Sequence, residues 1–328
     1  MDALWTHLEG SHSDITLATG SDEIITVNIG GTWSSADTTY FMMHYVTTGP
    51  SNYIQFNCNS PARHAGVYST SKYRLSIANG VALTFSAANH VRFNGLIIEV
   101  SSGNGNYQNP IEFSSMSAGA RIDFVNCIIK GHGADYVSSF LGGVDFGGTV
   151  NVINCILYGL STVNSGTTGI KNSGATLNVY STVMIGGMVG FNHNSGTSVF
   201  KNVYIGGTGY QDFWTSAENG TFDKTNCASE DLTGDDAGGV TSATNCITGV
   251  ACSVATFTNV TGGSEDFHIV SGSGLRDVGV TTSAEGAPFN FTTDIDGDTR
   301  SGTWDIGADE YVASGLNDVT RPLTGVSG

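Results

Sequence analysis

From Val91 onward, apolar and polar residues alternate, the alternation breaks at a Gly, Asn or Ser, and it resumes one residue late. The clearest instance is Ile122-Asp123-Phe124-Val125-Asn126-Cys127-Ile128-Ile129-Lys130-Gly131, echoed by Val150-Asn151-Val152-Ile153-Asn154-Cys155-Ile156-Leu157-Tyr158-Gly159. Period-two alternation puts every second side chain on one face, so each run predicts a strand with one buried face. The break predicts a corner. A corner that resets which residues point inward needs the left-handed region, which Gly enters freely and Asn better than other residues. The pivots are Gly95, Asn126, Asn154, Ser181, Asn202, Asn226 and Asn245, spaced 19 to 31 residues apart.

Self-similarity at that period, with no helical periodicity, predicts a stacked β-solenoid whose successive coils lie about 4.8 Å apart. Asn recurring at one corner predicts an amide ladder. The unequal spacings predict excursions at 101–118, 132–147, 161–174, 187–197 and 207–219, decorating one flank. Upstream, strand-like runs are Ile15–Ala18, Ile24–Ile29, Tyr40–Tyr45, Tyr53–Cys58, Tyr73–Ile77 and Val81–Phe85, the last two joined by the turn signal Asn79-Gly80. Leu4, Trp5 and Leu8 share one face of a short helix over 1–10, which predicts an N-terminal cap at 1–20. The body is expected over 21–254. Residues 255–312, where the repeat fades, form a closing segment, and 313–328 a polar tail.

Composition narrows the function. Forty-five Gly against five Pro fit many tight turns rather than a disordered linker. Net charge is −17, and residues 208–312 carry 17 acids and three bases of it. Such a surface argues against nucleic acid and against anionic membranes as partners. No run of 18 apolar residues is present, and Met1-Asp2 lacks the basic start of a signal peptide. Four of the six Cys (Cys127, Cys155, Cys227 and Cys246) directly follow an Asn pivot, so they read as small buried ladder residues. There is no CxxC pair, which removes a zinc reading and leaves disulfides only between stacked neighbours. Together these features predict folding in a reducing cytoplasm.

The closing segment carries Asp266-Phe267-His268-Ile269, then Ser271-Gly272-Ser273-Gly274-Leu275-Arg276-Asp277-Val278-Gly279. It continues with Asp294-Ile295-Asp296-Gly297-Asp298-Thr299-Arg300 and ends on Asp305-Ile306-Gly307-Ala308-Asp309-Glu310-Tyr311. This resembles the D-x-D-G-x-x-R and D-I-G-A-x-E-Y pattern that closes a broad group of right-handed parallel β-helix proteins of bacteria and phages. The resemblance covers residues 266–311, and the repeats at 89–250 agree with it. It implies an all-β, single-stranded right-handed parallel β-helix of the pectate-lyase-like kind, with the short helical N-terminal cap named above.

Two sets of residues bear on an enzymatic role. Gly131-His132-Gly133 and Asp235-Asp236 resemble two polygalacturonase motifs, but their order is reversed and they lie several coils apart. A lyase needs a calcium site and a base, for which Asp123, with Lys130 and Asp135, is the best local set. The simpler expectation is an outward ion pair of Asp123 with Arg92, flanked by Asn151. Asp294-x-Asp296-Gly297-Asp298 lacks the spacing of a calcium loop and is expected to be a turn, with Arg300 paired to Asp305 or Glu310. Tyr107, Tyr136, Phe140, Phe191, Tyr210, Phe213 and Trp214 lie on the excursions. Of these, Tyr107, Tyr136, Phe140, Tyr210 and Trp214 are the candidates for glycan or protein contact. No catalytic residue, metal or cofactor is expected. The reading is a non-enzymatic structural or surface protein of a larger assembly, a phage virion foremost, as capsid decoration or fibre. Its expected partners are other virion or surface proteins, with surface glycan and a homotrimer as further candidates. The alternative is a lyase or hydrolase of acidic polysaccharide.

Overall fold

The structure is a computed structural model that describes residues 22–313, except 44–45, 79, 87–89, 102–108, 117, 133–138, 145–146, 164–165, 216–219 and 233–241. The expected cap and helix, the run Ile15–Ala18 and the tail from 314 lie outside the described residues. What is described is all-β, without a helix, and is dominated by parallel pairing.

The chain runs through three parallel stacks in a fixed order. One full circuit is Ile111–Ser115, then Arg121–Val125, then the corner Asn126, then Ile128–Lys130. The next is Leu141–Val144, Thr149–Ile153, the corner Asn154, and Ile156–Leu160. In the following two circuits the first two segments fuse into the long strands Thr168–Tyr180 and Val189–Lys201, each bent at its middle. That fusion joins the first and second stacks into one 14-stranded sheet, while the third forms a separate 7-stranded sheet. The bend needs glycine: at Gly196, φ is +87° and a Cβ would lie 2.4 Å from the Ala175 carbonyl oxygen.

The first stack was not expected. The excursions at 101–118, 132–147, 161–174, 187–197 and 207–219 each contribute a strand or half-strand to it, so they build a wall of the core rather than decorate a flank. Tyr73–Ile77 and Val81–Phe85 are also reassigned. Arg74–Ile77 belongs to the third stack and Leu83–Ser86 to the first, so Asn79-Gly80 does not join a hairpin.

The alternating runs before each pivot form the second stack. Its inward residues pair in register as Phe56↔Phe93↔Phe124↔Val152. The three Phe rings stack face to face, with centroids 5.1 and 5.5 Å apart. Each is fully buried, which is worth about 1.5–3 kcal/mol per ring.

All seven pivots have positive φ: 75° at Gly95 and 44° to 57° at the other six. An amide ladder runs along this corner from Asn94 through Asn126 to Asn154. Asn126 Nδ2 donates to Asn94 Oδ1 (3.1 Å) and Asn154 Nδ2 to Asn126 Oδ1 (2.7 Å).

The third stack is buried on both faces. Leu75, Ile98, Ile129, Leu157, Met184 and Ile205 point into the main core. Between them an outer row, Ile97↔Ile128↔Ile156↔Val183↔Tyr204, is also buried. Phe257, Phe267, Ile269, Leu275, Ile295 and Ile306 cover that row. The closing segment thus lies along the outside of the third stack. Its antiparallel pair, Phe257–Asn259 with Asp266–Ile269, is the only antiparallel pairing among the described strands.

Candidate functional site

The outward face of the second stack collects the charged residues that alternation leaves over. Register aligns Arg92, Asp123, Asn151 and Asn178 in one row. One step back, His90, Arg121 and Thr149 form the next row, with Tyr53 preceding the adjacent strand Ile54–Cys58. Asp123 is the centre. Arg92 Nη2 lies 3.2 Å from its Oδ2, Arg121 Nε 2.9 Å from its Oδ1, and Asn151 Nδ2 donates to Oδ1 at 2.6 Å. Asn178 Nδ2 continues the chain onto Asn151 Oδ1 at 2.8 Å.

The outward ion pair of Asp123 with Arg92 is present, but the carboxylate is only 4% exposed. The two guanidiniums bury it. Arg121 joins the pair as a second cation, since it sits two residues before Asp123 on the same strand and shares its face. Around them Pro50, Tyr53, His90, Val91, Arg92, Arg121 and Asp123 line a small, shallow cleft. The Arg92 guanidinium stands over the Tyr53 ring, 5.5 Å from its centroid, a contact worth about 0.5–1 kcal/mol at an exposed site. Burial lowers the His90 pKa, and the Arg121 charge lowers it further. The cleft has two cations against one carboxylate, in a chain whose net charge is −17.

Lys130 is not part of this set. It lies on the third stack with Nζ 4.0 Å from the centroid of Tyr68. His132 follows the same strand, and Asp135, Asp235 and Asp236 lie outside the described residues. The aromatic candidates divide. Tyr107 and Tyr136 are outside the described residues. Phe140, Phe191 and Phe213 are core residues at 0%, 0% and 2% exposure, because the first stack carries them inward. Phe140 is thereby withdrawn as a contact residue. Trp214 is half-buried, and Tyr210, at 68% exposure, remains open.

The acids of the closing segment are fasteners. Asp294 Oδ1 accepts the N–H groups of Asp296, Gly297 and Asp298 at 2.8–3.0 Å, which makes the D-x-D-G stretch a turn. Arg300 is 4% exposed. It meets the Glu310 carboxylate at 3.4 Å and the main-chain oxygen of Asp305, and reaches across to Asn154 Oδ1 at 2.9 Å. The closing segment therefore locks onto the corner ladder. Asp305 accepts the N–H groups of Asp277 and Tyr311, and Asp309 that of Ile269.

His268 lies between Asp266 Oδ1 (2.5 Å) and Asp296 Oδ2 (2.6 Å). Burial alone would lower its pKa, but the two carboxylates overcome that and raise it to about 11. Burial pushes Asp309 up to about 7 and, with the charge of Asp296, Asp294 to about 6. The ligand atoms of His268, Asp296 and Asp309 lie within 4.8 Å of one another and are the one set among the described residues that could hold a metal ion. His268 Nε2 and Asp296 already satisfy each other there.

No family model matches this chain, and no curated protein and no solved structure matches it either.

Proposed function

We propose that this chain is a right-handed parallel β-helix of the pectate-lyase-like kind. It serves as a non-enzymatic structural or surface protein of a larger assembly, foremost a phage particle. The observation that carries this reading is the use of the buried acids. Asp294, Asp305, Asp309 and Glu310 all accept backbone N–H groups, and Asp123 is held by two arginines and an asparagine. Carboxylates engaged in this way fasten the chain to itself. In this role the chain is a stiff element, attached to other virion or surface proteins and self-associating as a trimer. Mass spectrometry of purified particles from a host carrying this gene tests the assembly role. Particles that lack the protein end it. Light scattering of the isolated chain tests the trimer.

The cleft of Tyr53, Arg92 and Arg121 supports surface-glycan contact and, as a second reading, turnover of acidic polysaccharide. An aromatic face beside guanidiniums suits a sugar ring bearing a carboxylate. A glycan array followed by an activity panel with pectin and alginate separates the two. Binding that Arg121→Ala abolishes, with no new reducing ends or unsaturated product, supports contact alone. Product formation that Arg121→Ala abolishes would replace the structural reading with the enzymatic one.

A further inference from the structure

Seven residues follow the seven pivots directly, and they stack in the order Leu96, Cys127, Cys155, Thr182, Val203, Cys227 and Cys246. Two neighbouring pairs of thiols result. Cys127 and Cys155 are both 0% exposed, in mid-stack. Cys227 is buried at 1%, whereas Cys246 is half-buried, because the third stack ends at the Ala228↔Ile247 bridge and no further circuit covers it.

The geometry of the end pair suits a disulfide. Ala228 and Ile247 pair in parallel, and the Ile247 amide donates to the Cys227 carbonyl at 2.9 Å. Cys227 and Cys246 are therefore register neighbours, whose Cα atoms in a parallel sheet lie about 4.8 Å apart. Disulfides span roughly 4.4–6.8 Å. Each sulfur lies within reach of the carbonyl oxygen two residues back (Thr225 and Thr244), so both leave the backbone in the same direction, and the single Cys227 proton turns to Cys246 once that thiol ionises.

The electrostatics favour attack by Cys246. Lys224 is 2% exposed and points into the core, with Nζ 4.5 Å from the Phe213 centroid. The hydrogen bond from Cys227 and then the Lys224 charge pull the Cys246 thiol down to about 6, against burial. Cys58 and Cys252 go the other way, both pushed up to about 12 by burial.

We propose that Cys246 is a redox modification site and Cys227 its resolving partner, oxidised by small disulfides of the glutathione class. The Cys246 thiolate attacks one sulfur of the small disulfide. A new S–S bond forms, the old one breaks, and one thiolate leaves. That thiolate takes the Cys227 proton. Cys227 then attacks the Cys246 sulfur and expels the second thiolate, which takes a proton from water. Two protein thiols lose two electrons, and one small disulfide gains them. The product ties the last circuit to its neighbour, and the reverse exchange with a small thiol reduces it.

The test uses the full chain, fully reduced, with excess oxidised glutathione at neutral pH and peptide mapping by mass spectrometry. The expected result is a loss of two hydrogens and a linked peptide joining positions 227 and 246. Cys227→Ala should stop at a stable glutathione adduct on Cys246, and Cys246→Ser should take up none. Lys224→Met should slow the first step several-fold. Oxidation of Cys246→Ser at the wild-type rate, a link between other cysteines, or no adduct on Cys246 would each overturn the proposal. If Cys227→Ala does not fold, iodoacetamide labelling of the wild type across pH decides. Cys246 must then react first, with its midpoint below the ordinary thiol value of about 8.5. A later or ordinary midpoint overturns the assignment.

Discussion

Asn154 sits at φ 57° and accepts a hydrogen bond from the buried Arg300, while its own amide donates to Asn126 Oδ1 and to the Thr293 carbonyl. Conformation and hydrogen bonding therefore coincide in one side chain. Asn154→Ala loses both, at about 1–2 kcal/mol for the left-handed backbone and about 1–3 kcal/mol for the orphaned guanidinium donor. The expected destabilisation is about 2–5 kcal/mol by urea unfolding. Asn154→Gly should recover the backbone part only. Equal losses for the two variants would show that the corner conformation is not what Asn supplies. These corners were legible in the sequence because few residues tolerate positive φ. Arg300 was legible as a paired cation, but its reach to Asn154, 146 positions away, was not. No local pattern encodes such a contact.

The same scale carries a pH dependence. His268, facing Asp266, Asp296 and Asp309, is raised from 6.5 to about 11, so its stabilisation is complete below about pH 6.5 and is lost as pH rises through about 11. Asp309 and Asp294 are raised from 3.8 to about 7 and about 6. The folded state then binds more protons than the unfolded state between about pH 4 and 7, and stability falls as pH rises through that window. Both effects have the same sign. The closing segment should hold more tightly at pH 5 than at pH 8. Hydrogen exchange at the Ile269 amide, corrected for intrinsic rates, reads this directly. Greater protection at pH 8 would contradict it.

At the scale of elements, the third stack departs from the alternation seen before each pivot. Adjacent apolar pairs follow the corners: Ile97-Ile98, Ile128-Ile129, Ile156-Leu157 and Val183-Met184. Continuous apolar runs mark strands buried on both faces. The pairs were therefore a readable sign that something covers the outer row, although not of what covers it. Phe267 is the chief cover, 3% exposed and edge-on to Tyr158 and Phe257 with centroids 5.2 and 5.5 Å away. Phe267→Ala should cost about 3–5 kcal/mol and raise binding of a hydrophobic dye. A loss below about 1 kcal/mol would mean that the segment docks through its polar fasteners instead. The first stack was hidden for another reason. Leu141–Val144 contains Gly142 and Gly143, and Thr168–Tyr180 contains Gly169 and Gly174, so composition there resembles a loop. Parallel neighbours supply the pairing that these sequences do not advertise.

The whole molecule is close to one-dimensional, since each circuit rests mainly on the two beside it. Local opening should start at the end. Ser242–Thr244 is exposed at all three residues, while Thr149–Ile153 is buried at four of five positions between two neighbours. Backbone hydrogen exchange should therefore rise from the Thr149–Ile153 strand toward the Ser242–Thr244 strand. Uniform protection along the stack would indicate a single cooperative unit. Lys224, pointing into the core near this end, is the kind of inward charge that discourages another chain from extending an open edge.

The cover of the third stack is also the last described part of the chain to leave the ribosome. Val183–Gly186 emerges well before Glu310, a delay on the order of ten seconds at ordinary elongation rates. For that interval the residues of the row from Ile97 to Val183 lack the apolar cover that the closing segment supplies. Arg300, once made, joins the closing segment to the middle of the stack at Asn154 rather than to its tip.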